Sequence, residues 1–134
     1  MSVITKEVKT LYERIGGAQT IQRIVESFYP RVLKHPDLAP IFPTDIEPVM
    51  KKQYQFLTQF CGGPPLYTLE HGHPRLRARH LPFPITPARA EAWLACMDAA
   101  LDDAEVHGAD REELWNRLVL TAYHMVNQPP SEEK

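Results

Sequence analysis

Apolar residues recur along this chain with the period of an α-helix. Positions three or four residues apart are apolar over long stretches, which predicts amphipathic helices with one buried face. The first stretch carries Ile21, Ile24, Val25, Phe28 and Val32, the second Val49, Gln53, Phe56 and Phe60, the third Trp93, Leu94, Met97 and Leu101, and the fourth Leu114, Leu118, Ala122, Met125 and Val126. The apolar run LPFPI is broken by prolines and is not a convincing strand. The pattern therefore predicts an all-α fold with about four substantial helices.

Capping residues indicate where these helices begin. Thr44 and Glu47 have the spacing of a capping box, which predicts that the second long helix starts there. Thr86 followed by Pro87 predicts the start of the third, because threonine is a favoured N-cap and proline is tolerated in the first turn. An Asp-x-x-Glu pattern at Asp110 indicates the start of the last long helix.

Prolines and glycines predict where helical structure is interrupted. Pro30 lies inside the first long helix and should kink it or end its regular part, because proline has no N–H to donate. Residues 62–75 start with two glycines and contain further prolines, so we predict a loop there. A short helix is predicted around residues 76–81, just before the prolines of LPFPI.

Length and charge define the broad class of protein. The chain has 134 residues, with 15 Lys and Arg against 17 Asp and Glu, a formal charge of −2. This predicts one domain over residues 1–134, with a core from about 8 to 128 and short flexible termini. The small charge argues against a nucleic-acid binder. Without a signal peptide, an apolar span for a membrane or a disulfide framework from Cys61 and Cys96, we expect a cytoplasmic protein.

Three polar side chains lie on or beside otherwise apolar helix faces. Gln53 sits in the middle of the second stripe, Tyr29 adjoins Phe28, and Trp93 lies near the start of the third helix. A buried amide without a partner costs about 1–3 kcal/mol, so Gln53 must be satisfied, either by a nearby backbone carbonyl or by something else. Tyr29 alone would be an ordinary core tyrosine. Together the three donors could converge on one apolar pocket.

The stretch from His71 to His80 concentrates three histidines and three arginines. It could be a solvated basic loop. A zinc site would use His71, His73 and His80, although cysteine partners and the usual ligand spacing are missing. The third alternative is a single axial histidine, His80, with apolar neighbours for a porphyrin and arginines for its carboxylates. A covalent c-type haem is excluded because the chain has no C-x-x-C-H motif.

Several short blocks, taken together, resemble a known family. In chain order they are Gly16-Gly17-Ala18, Phe28-Tyr29, Phe42-Pro43, Gln55-Phe56-Leu57 with Gly62-Gly63-Pro64, the run from Gly72-His73-Pro74 through Arg79-His80 to Pro82-Phe83, and Ala92-Trp93-Leu94. With these blocks in this order, the sequence resembles the truncated haemoglobins of group II, the O-type, within the bacterial globin-like proteins. The resemblance runs from about residue 11 to residue 127 and is specific, because independent blocks agree.

This resemblance implies a truncated globin fold, a two-over-two α-helical sandwich that encloses non-covalent haem b. It implies that His80 is the proximal iron ligand and that Tyr29, Gln53 and Trp93 stabilise a ligand on the distal side. Further residues implied to contact the haem are Phe42, Val49, Lys52, Tyr67 and Arg79. Among them, Lys52 and Tyr67 match positions that contact the propionates, and Arg79 is a plausible addition to them. Val49, at the distal gate, has no polar atom for a bound ligand.

The resemblance implies that the chain binds dioxygen and other diatomic ligands. Two or three donors aimed at dioxygen would slow its release by orders of magnitude, so we expect high affinity and slow release, suited to scavenging or transport. An alternative is a haem redox enzyme, a nitric oxide dioxygenase or a peroxidase-like protein, that needs an external reductase. A third is a haem-free module with a metal site at His71 and His73. We expect no nucleic-acid or membrane partner and a monomer or weak dimer.

Overall fold

The fold of the described part of the chain is all-α, as predicted. The computed structural model describes residues 9–75, 78, 80–81 and 83–128. Within these ranges the structure contains no strand. The helices are α1 (Leu11–Ile15), α2 (Ala18–Lys34), a 3-10 turn (Ala39–Ile41), α3 (Glu47–Phe60), α4 (Leu66–His71), α5 (Pro87–Asp103) and α6 (Gly108–His124). The four substantial helices predicted from the apolar stripes are α2, α3, α5 and α6.

The core lies where α2 meets its neighbours. Helix α2 packs against both α3 and α5, and α5 packs in turn against α6. The whole predicted face of α2 is buried, with Ile21, Phe28 and Val32 fully inaccessible. Met97 and Leu101 of α5 face it and are equally buried. Each large apolar side chain removed from water stabilises the fold by about 1.5–3 kcal/mol, so this contact anchors the domain.

One predicted helix start is confirmed and two are wrong. Thr86 is the N-cap of α5, and its Oγ1 accepts a hydrogen bond from the Arg89 N–H at 3.1 Å. Helix α3, however, begins at Glu47 with Ile46 as its N-cap, so Thr44 caps nothing. The Asp45 carboxylate accepts the Glu47 N–H at 3.3 Å instead. Helix α6 begins at Gly108, which puts Asp110 in its first turn rather than at its start.

The capping box of this chain lies at α1. The Thr10 Oγ1 accepts a hydrogen bond from the Glu13 N–H at 3.1 Å, and the Glu13 carboxylate accepts the Thr10 N–H at 3.0 Å. These reciprocal bonds satisfy two backbone donors that the first turn of a helix leaves unpaired. They help to explain how a helix as short as α1 holds its place, because five residues are too few for a stable isolated helix.

Prolines interrupt the chain less than predicted. Helix α2 continues through Pro30 to Lys34, held by buried side chains on both sides of the proline, Tyr29 and Val32. The predicted loop over 62–75 contains helix α4, whose N-cap is Pro65. A proline costs little at a helix start because its missing N–H would be unpaired there anyway. Of the predicted helix around 76–81, Ala78 and His80 are helical, whereas residues 76, 77 and 79 lie outside the described part.

Thr58 provides a test of the core. Its side chain is fully buried in α3, and its hydroxyl has no hydrogen-bond partner among the described residues. Thr58→Val keeps the shape and removes the unpaired hydroxyl, so we expect it to raise the free energy of unfolding in urea by about 1 kcal/mol. The control is Thr68→Val, because the Thr68 Oγ1 accepts a hydrogen bond from Gln59 at 2.8 Å. A less stable Thr58→Val protein would contradict this interpretation.

Candidate functional site

A cavity of about 250 Å³ opens between α3, α5 and α6. Its walls are mainly apolar, with Leu38, Ile41, Phe56 and Leu118 among the lining side chains. The structure brings most of the predicted site residues to this cavity, and those that line it are Phe42, Val49, Lys52, Gln53, Tyr67, His80 and Trp93. Two predicted residues are exceptions. Tyr29 does not line the cavity, and Arg79 lies outside the described residues.

Tyr29 lies directly behind the cavity wall. It is buried in α2, and its ring makes edge-to-face contacts with Phe28, at 4.9 Å between centroids, and with Phe42, at 6.0 Å. Phe42 is itself a lining residue, so the phenol is one aromatic ring away from the cavity. Burial raises the pKa of the Tyr29 phenol above its ordinary range. Tyr29 therefore keeps its proton and remains a hydrogen-bond donor.

Three different helices supply the candidate hydrogen-bond donors. Tyr29 belongs to α2, Gln53 to α3 and Trp93 to α5. The Trp93 ring contacts Phe28 with 5.3 Å between centroids, so one buried phenylalanine supports both Tyr29 and Trp93. Across the described part of the chain, none of the three donors forms a hydrogen bond with another protein group. The backbone carbonyl considered for the Gln53 amide is thus not its partner there.

Three of the four residues in the predicted stripe of α3 line the cavity, and its apolar members also pack against the edge of the core. Val49, Gln53 and Phe56 line the cavity, whereas the buried positions of α3 are Leu57 and Thr58, together with Gln55. The spacing predicted one common face correctly, because residues four apart lie on the same side of a helix. The cavity borders that face, which explains how a polar amide can lie among its apolar residues.

The cavity lining also includes an imidazole. His80 lines the cavity, and the segment that follows it contributes the buried Ile85. Two cationic side chains, Lys52 and Arg89, also line the cavity. The site thus combines an apolar interior, a histidine and positive charge, which are the features that a haem with two carboxylates requires.

Arg89 is a lining residue that the sequence analysis missed. Its Nε donates to the Asp37 carbonyl at 2.8 Å and its Nη1 donates to the Pro84 carbonyl at 2.7 Å. These bonds hold together two loops that border the cavity. One signal was available, because Arg89 and Trp93 are four residues apart and therefore share a helix face. The two partners are main-chain carbonyls, one of them 52 residues away at Asp37, and main-chain partners leave no trace in the sequence pattern.

Tyr67 is held in the cavity wall by a polar network that was also missed. Its ring packs on His71 with 4.7 Å between centroids. The His71 Nε2 donates to the Gln55 amide oxygen at 2.8 Å, and the Gln55 Nε2 donates to the Glu70 carboxylate at 2.8 Å. The hydrogen bond from Gln55 lowers the pKa of the Glu70 carboxyl. Gln55 is buried, so this network satisfies an amide that would otherwise be costly.

The hydrogen bonds of His71 also bear on whether the stretch from His71 to His80 binds a metal ion. His71 bonds to Gln55, and no group of three or more His, Cys, Asp or Glu residues in the described ranges could hold a metal ion. A zinc site built on His71 and His73 therefore has no support among these residues. In the same ranges, no helix is long and apolar enough to cross a membrane.

Comparison with known proteins identifies the family. Residues 10–127 match the model of the bacterial-like globins. The chain is 58% identical over 123 residues to group 2 truncated haemoglobin YjbI of Bacillus subtilis, a match that covers 92% of each protein. The crystal structure of the group II truncated haemoglobin from Bacillus anthracis has a TM-score of 0.93 and 61% identity, covering 94% of this chain and 97% of that chain.

A second solved structure has the same fold. The truncated oxygen-avid haemoglobin from Bacillus subtilis has a TM-score of 0.86 and 58% identity, and the match covers 89% of this chain and all of that chain. The helix order described above and the cavity between α3 and the α5–α6 pair agree with the two-over-two helical sandwich of these proteins. The chain therefore belongs to the truncated haemoglobins of group II, an oxygen-binding globin family in which haem is the implied cofactor.

Proposed function

We propose that this chain holds haem b without a covalent bond and binds dioxygen with high affinity and slow release, for scavenging or transport. The observation that supports the proposal is a set of three donors without a protein partner in the described residues: Gln53 and Trp93 in the wall of an apolar cavity, and Tyr29 one aromatic ring behind it. Ferrous haem supplies a coordination position for a diatomic ligand when it is bound. The protein residues around the ligand then set its rate of release.

Different residues of the cavity would contact different parts of the haem. His80 would coordinate the iron, and Phe42 and Val49 would supply apolar contact to the macrocycle. Lys52, Tyr67 and Arg79 are proposed to contact the propionates, and Arg89 adds a further cation at the cavity wall. A lysine can lay its stem on apolar surface while its ammonium reaches a carboxylate, which suits Lys52 at the exposed edge of α3.

Slow release follows from the donors. A hydrogen bond to a charged or strongly polarised group contributes about 1.5–3 kcal/mol, and each 1.4 kcal/mol is about tenfold in a rate or an equilibrium constant. Val49 has no polar atom, so stabilisation of a ligand falls to Tyr29, Gln53 and Trp93. The relative from Bacillus subtilis that is described as oxygen-avid has the same fold at 58% identity, which supports this proposal.

The experiment that tests this function follows the ferrous protein in air. We expect a stable oxygenated spectrum, and slow loss of oxygen when a scavenger is added in a stopped-flow instrument. In the same samples, nitric oxide or peroxide is added with a reductant, and we expect stoichiometric reaction without sustained turnover. Sustained turnover would favour a haem redox enzyme, whereas fast release would contradict the proposed affinity.

The two cysteines support a cytoplasmic location for this protein. Cys61 and Cys96 are both buried free thiols, which suits a reducing cytoplasm. Burial raises the pKa of the Cys61 thiol to about 11, and burial also raises that of Cys96, so neither is a reactive thiolate. We propose a single domain over residues 1–134, working as a monomer or weak dimer. An external reductase would keep the iron ferrous.

A further inference from the structure

The segment between His80 and α5 is held by the side chain of Asn127. The Asn127 Nδ2 donates to the His80 carbonyl at 3.2 Å and to the Phe83 carbonyl at 3.0 Å. The Asn127 Oδ1 accepts the Ile85 N–H at 2.9 Å. One amide therefore contacts the main chain at three points of the segment that carries the candidate axial histidine.

The backbone of the same region reinforces this contact. The Asn127 N–H donates to the Ile85 carbonyl at 2.9 Å, and the Gln128 N–H donates to the same carbonyl at 3.2 Å. Ile85 is buried and lines the cavity. The residues after α6 thus both donate hydrogen bonds to Ile85 and accept one from it. These bonds fix the main chain of Asn127 within reach of His80.

Apolar burial does little to hold the first part of this segment. Leu81 is 56% exposed and Phe83 is 44% exposed, so neither side chain anchors the main chain in the core. The His80 carbonyl accepts one backbone hydrogen bond in the described ranges, from the Phe83 N–H at 2.9 Å. The hydrogen bond from Asn127 ties this carbonyl to a part of the chain 47 residues away, just after α6.

Only an amide of this length satisfies all three contacts. The two carbonyls need donors and the Ile85 N–H needs an acceptor, which fixes the orientation of the Asn127 amide. An aspartate has nearly the same shape but offers only acceptors when ionised, so it would face two carbonyl oxygens without a proton to give. This makes Asn127→Asp a change of chemistry with almost no change of size.

We propose that Asn127 is a positioning residue that fixes the main chain of His80 and so sets the direction and strength with which its imidazole meets the iron. The inference rests on the proposed role of His80 as the axial ligand. Asn127 itself lines no part of the cavity wall described above, so it acts through the main chain of the segment that carries His80. Control of the iron–histidine bond would then lie in a residue just after α6.

The test compares Asn127→Asp with Asn116→Asp, the same substitution at an exposed position of α6. We measure the iron–histidine stretching band of the ferrous, ligand-free protein by resonance Raman, and the rate of haemin transfer to excess apomyoglobin. We expect Asn127→Asp to shift and broaden the band and to lose haemin about tenfold faster or more, the scale of losing two hydrogen bonds. Asn116→Asp should match the wild type in both.

A second variant keeps the test decisive. Asn127→Ser removes the three contacts without adding charge, and it answers the same question where the aspartate variant does not fold. Wild-type band position and haemin loss in both Asn127 variants would overturn the inference. If the wild-type protein itself lacks an iron–histidine band, or keeps it after His80→Gly, the proposed axial ligand is wrong. The two failures are therefore distinguishable.

Discussion

Replacing Trp93 with phenylalanine should speed oxygen release from the ferrous protein by about ten- to hundredfold. The change removes the indole N–H, whose hydrogen bond to a strongly polarised ligand is worth about 1.5–3 kcal/mol. It keeps an aromatic ring at 93 to pack on Phe28, which lies 5.3 Å from it between centroids. Release is measured by stopped-flow mixing of the oxygenated protein with an oxygen scavenger or carbon monoxide.

The control is Trp115→Phe. The chain has two tryptophans, and Trp115 packs on the core without lining the cavity. We expect release from Trp115→Phe at the wild-type rate. Tyr29→Phe should act like Trp93→Phe, since its phenol is a protonated donor one ring behind the wall, and its contacts with Phe28 and Phe42 survive the change. Wild-type release from both cavity variants would show that these donors do not hold the ligand.

Replacing His80 with glycine should abolish stable haem binding. His80 is the imidazole that lines the cavity, and loss of an axial ligand removes the iron's bond to the protein. Partners that only orient a metal ligand are worth about 10–100-fold in affinity, so loss of the ligand itself should weaken haemin binding by more than about 100-fold. The affinity is measured by titrating the protein with haemin and following the Soret band.

Added imidazole should restore the band in the His80→Gly protein, because the small molecule can occupy the space left by the side chain. His73→Gly is the matched control, taken from the same basic stretch but from an exposed residue that does not line this cavity. It should bind haemin like the wild type. If His73→Gly loses the haem and His80→Gly keeps it, the axial ligand has been assigned to the wrong histidine.

The sequence predicted the helices well because their apolar period reports directly on burial. The face of α2 is buried at every predicted position. The stripe of α3 was equally clear, but periodicity cannot distinguish a face that covers a core from one that covers a cofactor. The polar Gln53 was the informative exception, since an amide in an apolar stripe requires a partner. Helix α4 was missed because Pro64 and Pro65 were interpreted as loop residues when they stand at a helix start.

Site residues that act through their own side chains could be predicted from the sequence. Residues whose partners are main-chain groups could not. His80, Gln53 and Trp93 are recognisable as residue types in a pattern. Arg89 and Asn127 are not, because their partners are backbone carbonyls at 37, 84, 80 and 83, set by loop geometry that no local pattern encodes. The capping box at Thr44 failed for a different reason, since two neighbouring side chains could cap the helix and the Asp45 carboxylate accepts the Glu47 N–H.

Whether this cavity holds haem is decided by the absorption spectrum of the protein titrated with haemin, then reduced with dithionite, then exposed to air. A Soret band that saturates at one haemin per chain, shifts on reduction and shifts again on oxygenation is the result expected for a cavity that holds haem through His80. No Soret band with added haemin would contradict it. The donors around the cavity would then require a different ligand.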